Sequence, residues 1–489
     1  MKSLLALFLF LTSPVQLFAQ RLGHPQSSFL AFTHVTVIDM TGAPPKPNTT
    51  VLIAGNRIAA VGPNRRVRIP RGAQTIDATG MFLIPGLWDM HVHALRPERV
   101  DYFFPLFIAN GVTGIREMGT TAAGFAALQR LRLGIAAGTR TGPRIIAAGR
   151  ILDGARPAVP ENSIPFSNDE EARQAVRDLK QGGADFIKVY DGIPRSSYLA
   201  IVEETKKQRI PFAGHVPTEI TSFEASDLGQ KSFEHLGNIL RSCSTLEPKV
   251  IDERAYATMS PVDKPNDFSA IPKRIAARTS VELDTYSEQK CIGLFARFVR
   301  NETWQVPTLV TKQVGTFVDS VRSADDPRRR YVPAPVLESW KPENNMFFKY
   351  RTSEFVQTRK QLYQKELELV GTMHRAGVRF MTGTDTPGAY LYPGFSLHDE
   401  LALFVQAGFT TFEALQAATR NPAEYLNRLN ELGTVEKGKL ADLVLLEANP
   451  LEDINNTKKI AAVVFDGRYL SREARAKMLL EIEAAFRKK

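Results

Sequence analysis

The sequence predicts a parallel (β/α)8 barrel with a small β-sandwich domain assembled from both ends of the chain. Three observations predict it. A strand, loop and helix pattern repeats eight times between residues 85 and 432. Strand-rich texture fills residues 29–84 and returns over residues 433–489. The chain, at 489 residues, is long enough to bury a large core.

The opening MKSLLALFLFLTSPVQLFAQ stands apart from the fold. Lys2 precedes a short apolar run, Leu4 to Leu11, and Leu17-Phe18-Ala19 ends in a small residue suited to cleavage. This is the pattern of a secretory signal peptide over residues 1–20, with Pro14 and the short run arguing against a retained anchor. The expected location is secreted, in a bacterial periplasm, with no membrane contact after cleavage.

The first β segment contains the alternating Val35-Thr36-Val37-Ile38-Asp39. A hairpin follows, with Thr50-Val51-Leu52-Ile53 turning through Ala54-Gly55-Asn56-Arg57 into Ile58 to Gly62. The second β segment contains Gly433-Thr434-Val435, Ala441 to Leu446 and Ile460 to Phe465, and an amphipathic helix is expected over 471–487.

Between them the expected barrel strands are Gly86–His93, Gly111–Met118, Arg144–Leu152, Phe186–Tyr190, Ile210–His215, Ser232–Leu236, Gln305–Val310 and Phe380–Asp385. Helical stretches such as Glu170–Gln181 and Ser196–Gln208 intervene. Segments 238–303 and 311–375 exceed one βα unit and should carry extra helices. In a TIM barrel the chemistry sits at the carboxyl ends of the strands.

The net charge is +10, but its lysines and arginines are scattered, with small clusters at Arg65–Arg68 and Arg328–Arg330. That describes a solvated basic surface, and no nucleic-acid partner is expected. Cys243 and Cys291 are the only cysteines and make no disulfide framework. Their pairing is left undecided, leaning towards free thiols.

The polar residues at strand ends carry the functional reading. His91 and His93 stand two apart, so on a strand both face one side and can share a metal ion. Taken alone, the pair is weak evidence and reads first as ordinary surface histidines. Of the eight histidines, however, four close predicted strands: His91, His93, His215 and His235. Asp385 closes the eighth strand, in FMTGTDTP. Lys188 lies in FIKVYDG and has two readings. It can snorkel or pair with Asp191, or, if burial and nearby cations lower its pKa, its neutral amine can take up carbon dioxide as a metal-bridging carbamate. Arg116 and Glu117 read as a charge pair at the barrel rim.

HVH after an apolar strand, a strand-ending lysine, single histidines on the next two strands and an aspartate on the last resemble the amidohydrolase superfamily. LIPGLWDMHVH is similar to that family's entry into the barrel, and NPAEYLNRLNELGTVEKGKLADLVLLEANPLEDI to its exit into the β domain. The resemblance runs from about residue 30 to 470. Within the superfamily, IKVYDG, the AGHV and EHLG pair and FSLHDELALFVQAGFTTFEALQAAT look like the imidazolonepropionase-related branch, which includes metal-dependent prolidases and other Xaa-amino-acid dipeptidases. Lys188 departs from the mononuclear imidazolonepropionases and resembles the binuclear members.

The resemblance implies two divalent metal ions, by default Zn2+, with Mn2+ or Co2+ as substitutes. His91, His93 and Asp385 would hold the more buried ion, His215 and His235 the second, and carboxylated Lys188 and a hydroxide would bridge them. It implies hydrolysis of an amide by that hydroxide, with Asp385 as the proton shuttle. Tyr190 and His398 are the further catalytic or substrate-contacting candidates, and Tyr198 is a weaker one. For each, a packing or helix-start role is the alternative. The implied partner is a small amide, an Xaa-Pro-like dipeptide or an N-acyl amino acid. The alternatives are a broader amidase or lactamase acting on cyclic or aromatic amides and, less favoured, a non-catalytic binding barrel. Assembly into a homo-oligomer is compatible with the family.

Overall fold

The computed structural model describes residues 29–257, 270–321, 325–345 and 347–487. The expected signal peptide lies outside the described residues. Among them, no helix is long and apolar enough to cross a membrane.

The two ends of the chain meet in one eight-stranded mixed sheet. Its N-terminal strands are β1 (Phe29–Val37), β2 (Lys46–Ala54), β3 (Arg57–Pro63), β4 (Gln74–Asp77) and β5 (Phe82–Pro85). β2 and β3 form the hairpin at Gly55-Asn56, where Gly55 takes a positive φ of 56°. β1 is the branch point, pairing antiparallel with β2 and parallel with β4 and β5.

The barrel strands are β6 (Leu87–Val92), β7 (Val112–Glu117), β8 (Arg144–Ala147), β9 (Ile151–Asp153), β10 (Ser163–Pro165), β11 (Ile187–Val189), β12 (Phe212–Gly214), β13 (Ser232–Glu234) and β14 (Trp304–Val306). All their pairings are parallel. β8 pairs with β7 and β9 with β11, so residues 144–153 together occupy the third barrel position. The eighth position, residues 380–386, bonds to both neighbours. Met381 N–H donates to Gln305 O (3.0 Å), and Met90 N–H donates to Thr382 O (2.9 Å). These bonds close the ring.

The chain then returns to the sheet through β15 (Leu443–Leu446), β16 (Ile460–Phe465) and β17 (Arg468–Leu470). β15 pairs antiparallel with β5, which stitches the two ends together. Alternate residues of these strands, among them Phe32, Val37, Val51, Leu83, Leu443 and Val464, bury a separate core. A helix over Arg472–Arg487 follows.

The long segments carry the extra helices. Pro248–Ala257, Ile271–Asp284 and Glu288–Arg300 lie between β13 and β14, and Leu309–Val321 and Ser353–Arg375 follow β14. The cysteines correct the leaning towards free thiols: Cys243 and Cys291 are joined, with Cα atoms 4.9 Å apart. Cys291 lies on the helix Glu288–Arg300, whose buried face packs beside Cys243. Sequence spacing did not reveal that approach, because the 48-residue excursion between them folds back on itself.

Candidate metal centre

His91 and His93 occupy alternate positions at the end of β6, with His91 fully buried and His93 partly open. Asp385 ends the eighth position, and its N–H donates to His91 O (2.7 Å). Its backbone turns left-handed there, with φ 57°, as does that of His235, with φ 59°. Such conformations cost a non-glycine residue of order 1 kcal/mol and cluster at functional sites. Asp385 Oδ1 lies 3.5 Å from His91 Nε2 and 3.4 Å from His93 Nε2. The ligand atoms of these three residues all fall within 4.8 Å of one another.

Two glycines admit this packing. A Cβ on Gly383 would stand 2.8 Å from His91 Cβ and 2.6 Å from Val306 Cγ1. One on Gly214, where φ is +136°, would stand 2.8 Å from the Lys188 stem. Lys188 lies in the middle of β11 beside Gly214, and its Nζ is buried with no hydrogen-bond partner. The pairing with Asp191 is therefore not formed; Asp191 bonds to His215 instead. His215 and His235 follow β12 and β13 directly. Ring centroids of His91 and His235 are 4.4 Å apart, and those of His215 and His235 are 4.9 Å apart. The Tyr190 ring stacks on His215 at 4.0 Å, and Lys188 Nζ lies 5.8 Å from the Tyr190 ring.

The four imidazoles share one arrangement. Each has Nδ1 engaged by the protein: His91 with Glu234 (2.8 Å), His93 with Gly119 O (2.7 Å), His215 with Asp191 (3.0 Å) and His235 with Thr308 Oγ1 (2.7 Å). A carbonyl or a carboxylate there requires Nδ1 to carry the proton, which leaves the Nε2 lone pair for a cation. His91 Nε2 is buried with no hydrogen-bond partner. Electrostatics favours the ligating protonation states of His91, His235 and Asp385, whereas at His93 burial is outweighed by Asp385 and Glu117, which raise it. Burial, with the Lys188 charge, lowers His91 to about 4. Burial, then the His91 charge, also drives His235 well below its ordinary value. Burial pushes Asp385 up, but His235, His93 and His91 outweigh it and hold the carboxyl well below its usual range. Neutral imidazoles and an ionised carboxylate are what a divalent cation requires. The donor set fits a metal centre.

Several residues behind the cluster escaped sequence reasoning. Asp89 accepts from Thr384 Oγ1 (2.6 Å), Thr384 N–H (3.0 Å) and His91 N–H (3.3 Å), tying β6 to the Asp385 segment. Its signal was available, since Asp89, His91 and His93 share one alternation. Glu234 and Thr308 had no such signal, because they meet their histidines only in the fold.

Other expectations require correction. His398 is buried on the helix Phe395–Gln406, with Nδ1 on Thr457 Oγ1 (3.0 Å) and Nε2 on Asn110 O (3.1 Å). Both nitrogens are committed to packing, so it contacts neither substrate nor the cluster. Tyr198 is buried, and its hydroxyl donates to Gln230 Oε1 (2.8 Å). Gln230 in turn donates to Gly214 O (2.9 Å) and His215 O (3.2 Å), so Tyr198 supports the His215 backbone from behind. Arg116 and Glu117 are not a rim pair. Both are fully buried; Arg116 bonds Glu234, and Glu117 accepts from Ala94 N–H (2.5 Å) and Leu95 N–H (3.2 Å).

Residues 319–470 match the amidohydrolase family. An adenine deaminase of Mesorhizobium japonicum is 47% identical over 87 residues, 14% of each chain. A dihydroorotase of Solibacter usitatus is 28% identical over 162 residues, 29% of this chain and 35% of that one. The chain thus spans well under half the length of these curated relatives. Solved structures match across nearly all of it. An Xaa-Pro dipeptidase with bound methionine superposes with a TM-score of 0.64 at 20% identity, covering 91% of this chain and 100% of that one. Bottromycin amidohydrolase superposes with a TM-score of 0.73 at 20% identity, covering 94% and 91%. The ochratoxinase of A. niger superposes with a TM-score of 0.63 at 19% identity, covering 91% and 96%. The amidohydrolase match covers the C-terminal third of the chain, and the barrel and sheet are shared with these solved structures along nearly its whole length.

Proposed function

We propose that this protein hydrolyses an amide bond, in dipeptides with a C-terminal proline or similar residue or in N-acyl amino acids, using a pair of divalent metal ions. The observation that carries the reading is the set of four imidazoles with engaged Nδ1 atoms around Asp385 and an unpartnered, buried Lys188. His91, His93 and Asp385 would hold one ion, His215 and His235 the other, and Lys188, as its carbamate, would be a further ligand. Zinc is the default ion for imidazole and carboxylate donors. When bound, such a pair supplies a hydroxide near neutral pH and polarises the scissile carbonyl.

The chain's own residues do the rest. Burial lowers Lys188 to about 8 against the pull of Glu234 and Asp385, so a useful fraction of its amine is neutral and able to add carbon dioxide. Asp385, ionised in the cluster, accepts a proton at its carboxylate and returns it to the departing amine. Burial pushes Tyr190 above its ordinary value, so its hydroxyl stays a neutral donor for a substrate carboxylate or for the oxygen that gains charge. Secretion to a periplasm, where small peptides are scavenged, completes the proposal.

A second reading, cleavage of bulkier cyclic or aromatic amides, draws on the cluster of Trp340, Phe348, Tyr390 and Tyr392 that the long segment after β14 packs against the loop after Asp385. A hydrolysis screen with paired amides, with and without a free carboxylate, tests both. Turnover that requires the carboxylate supports the dipeptidase; turnover indifferent to it supports the broader amidase.

A further inference from the structure

Of the four groups that hold an Nδ1, Glu234 alone is a buried carboxylate. Asp191 is a carboxylate with 56% of its side chain exposed, Gly119 offers a backbone carbonyl, and Thr308 a hydroxyl. Glu234 is also the most heavily braced. Its carboxylate accepts from Arg116 Nη2 at 2.8 and 3.0 Å, from Ser232 Oγ at 2.7 Å and from His91 Nδ1 at 2.8 Å.

Arg116 is fully buried and comes from β7, which is not a neighbour of β13. It therefore reaches Glu234 across the barrel interior. Its remaining donors are all used. Nε donates to Met90 O (2.7 Å), and Nη1 donates to Ser232 Oγ (2.9 Å) and Tyr425 Oη (3.0 Å). The Met90 carbonyl belongs to the residue just before His91. One guanidinium thus grips both the backbone beside His91 and the carboxylate that orients its ring. A buried ion pair is poor evidence for stability, because desolvating two charges offsets their attraction. What a fork of fixed donors supplies is direction.

We infer that Glu234 and Arg116 form a positioning pair that fixes the His91 ring, with the proton on Nδ1 and the Nε2 lone pair aimed into the cluster. The inference rests on the cluster being a metal site. It adds that affinity at the ion held by His91 is set from across the barrel, by residues that never touch the metal.

The test is competition of the zinc-loaded protein against a chelator of known affinity, which yields stepwise constants for the two ions. In Glu234→Gln the ion shared by His91, His93 and Asp385 should bind about 10–100-fold more weakly, the usual effect of losing such a partner. In Ser232→Ala, which removes one donor and keeps both charges, the loss should be roughly threefold or more. In the metal-free protein, the downfield proton resonance of His91 Nδ1–H should disappear in Glu234→Gln. If Glu234→Gln does not fold, Ser232→Ala decides. A pair that only braces the barrel would lower the unfolding temperature and leave the stepwise constants unchanged. That result in whichever variant folds overturns the inference. Wild-type protein that binds no metal overturns the proposed function instead, so the two failures are distinguishable.

Discussion

His93 Nε2 lies 3.4 Å from Asp385 Oδ1, although 292 positions of sequence separate the two residues (385 − 93). The contact exists because β6 and the eighth barrel segment are neighbours at the point where the ring closes. Asp385 N–H bonds His91 O, and His93 N–H bonds Thr386 O (2.7 Å). Ring closure and site assembly are therefore one event, and a variant that disturbs either should disturb both.

Asp385→Asn separates proton transfer from binding. The amide keeps the size and one acceptor oxygen but has no basic carboxylate. The variant should fold, keep most of its metal and lose turnover by about 10²–10⁴-fold, the span usual for a positioned general base. Activity measured beside metal content checks this. Near-normal turnover would remove Asp385 from the proton path.

Lys188→Ala should retain one ion and lose the other if Lys188 bridges them as proposed. Acetate or propionate added to the variant should restore part of the metal and part of the turnover by occupying the space of the missing carbamate. Metal analysis with and without the acid measures it. Full occupancy in the untreated variant would show that Lys188 does not bridge.

Glu400 makes a pH prediction away from the metal ligands. Its carboxyl accepts from Leu309 N–H (3.0 Å) and Val310 N–H (2.7 Å), at the start of the helix that follows β14. Burial raises it from 4.5 to about 8, against the pull of those two donors. Across that window the folded chain holds this proton and the unfolded chain does not. The contribution to stability is therefore greatest below the ordinary carboxylate value, falls as pH rises through the window, and is lost above about 8. Glu400→Gln stays neutral and should flatten this part of the profile. Urea unfolding of the metal-free protein at several pH values reads the slope.

The Cys243–Cys291 bond closes a loop of 48 residues. Constraint of the unfolded chain by a loop of that length contributes about 4 kcal/mol. Reductant, or Cys291→Ala, should lower the urea midpoint accordingly while leaving the metal-binding constants nearly unchanged. Equal midpoints with and without reductant would show that the bond is not formed in the purified protein.

The barrel and the strand-end positions of the candidate ligands were legible because each is a local pattern. His91 and His93 follow an apolar run at the spacing that sends both to one face, and His215, His235 and Asp385 each close a short apolar stretch. What was not legible depends on pairs far apart in the chain. Glu234 meets His91 from 143 residues away, and Arg116 meets Tyr425 from 309 away. Arg116 and Glu117 look like a surface pair in sequence, yet each is buried with a separate partner. His398 misled for a related reason. A histidine soon after the eighth strand is near the site in sequence, but it sits on a helix face turned to Asn110 and Thr457. The cysteine pair depends on helices folding back across a long excursion, which no spacing rule records.

The central claim is that six side chains from five barrel positions converge on a pair of divalent ions. Metal content of the protein, purified without chelator and normalised to chain concentration, tests it most directly. Two equivalents per chain, removed by chelator together with amide hydrolysis and restored with it by zinc, is the predicted result. A protein that hydrolyses amides with no bound metal, or that binds none under saturating zinc, would contradict it.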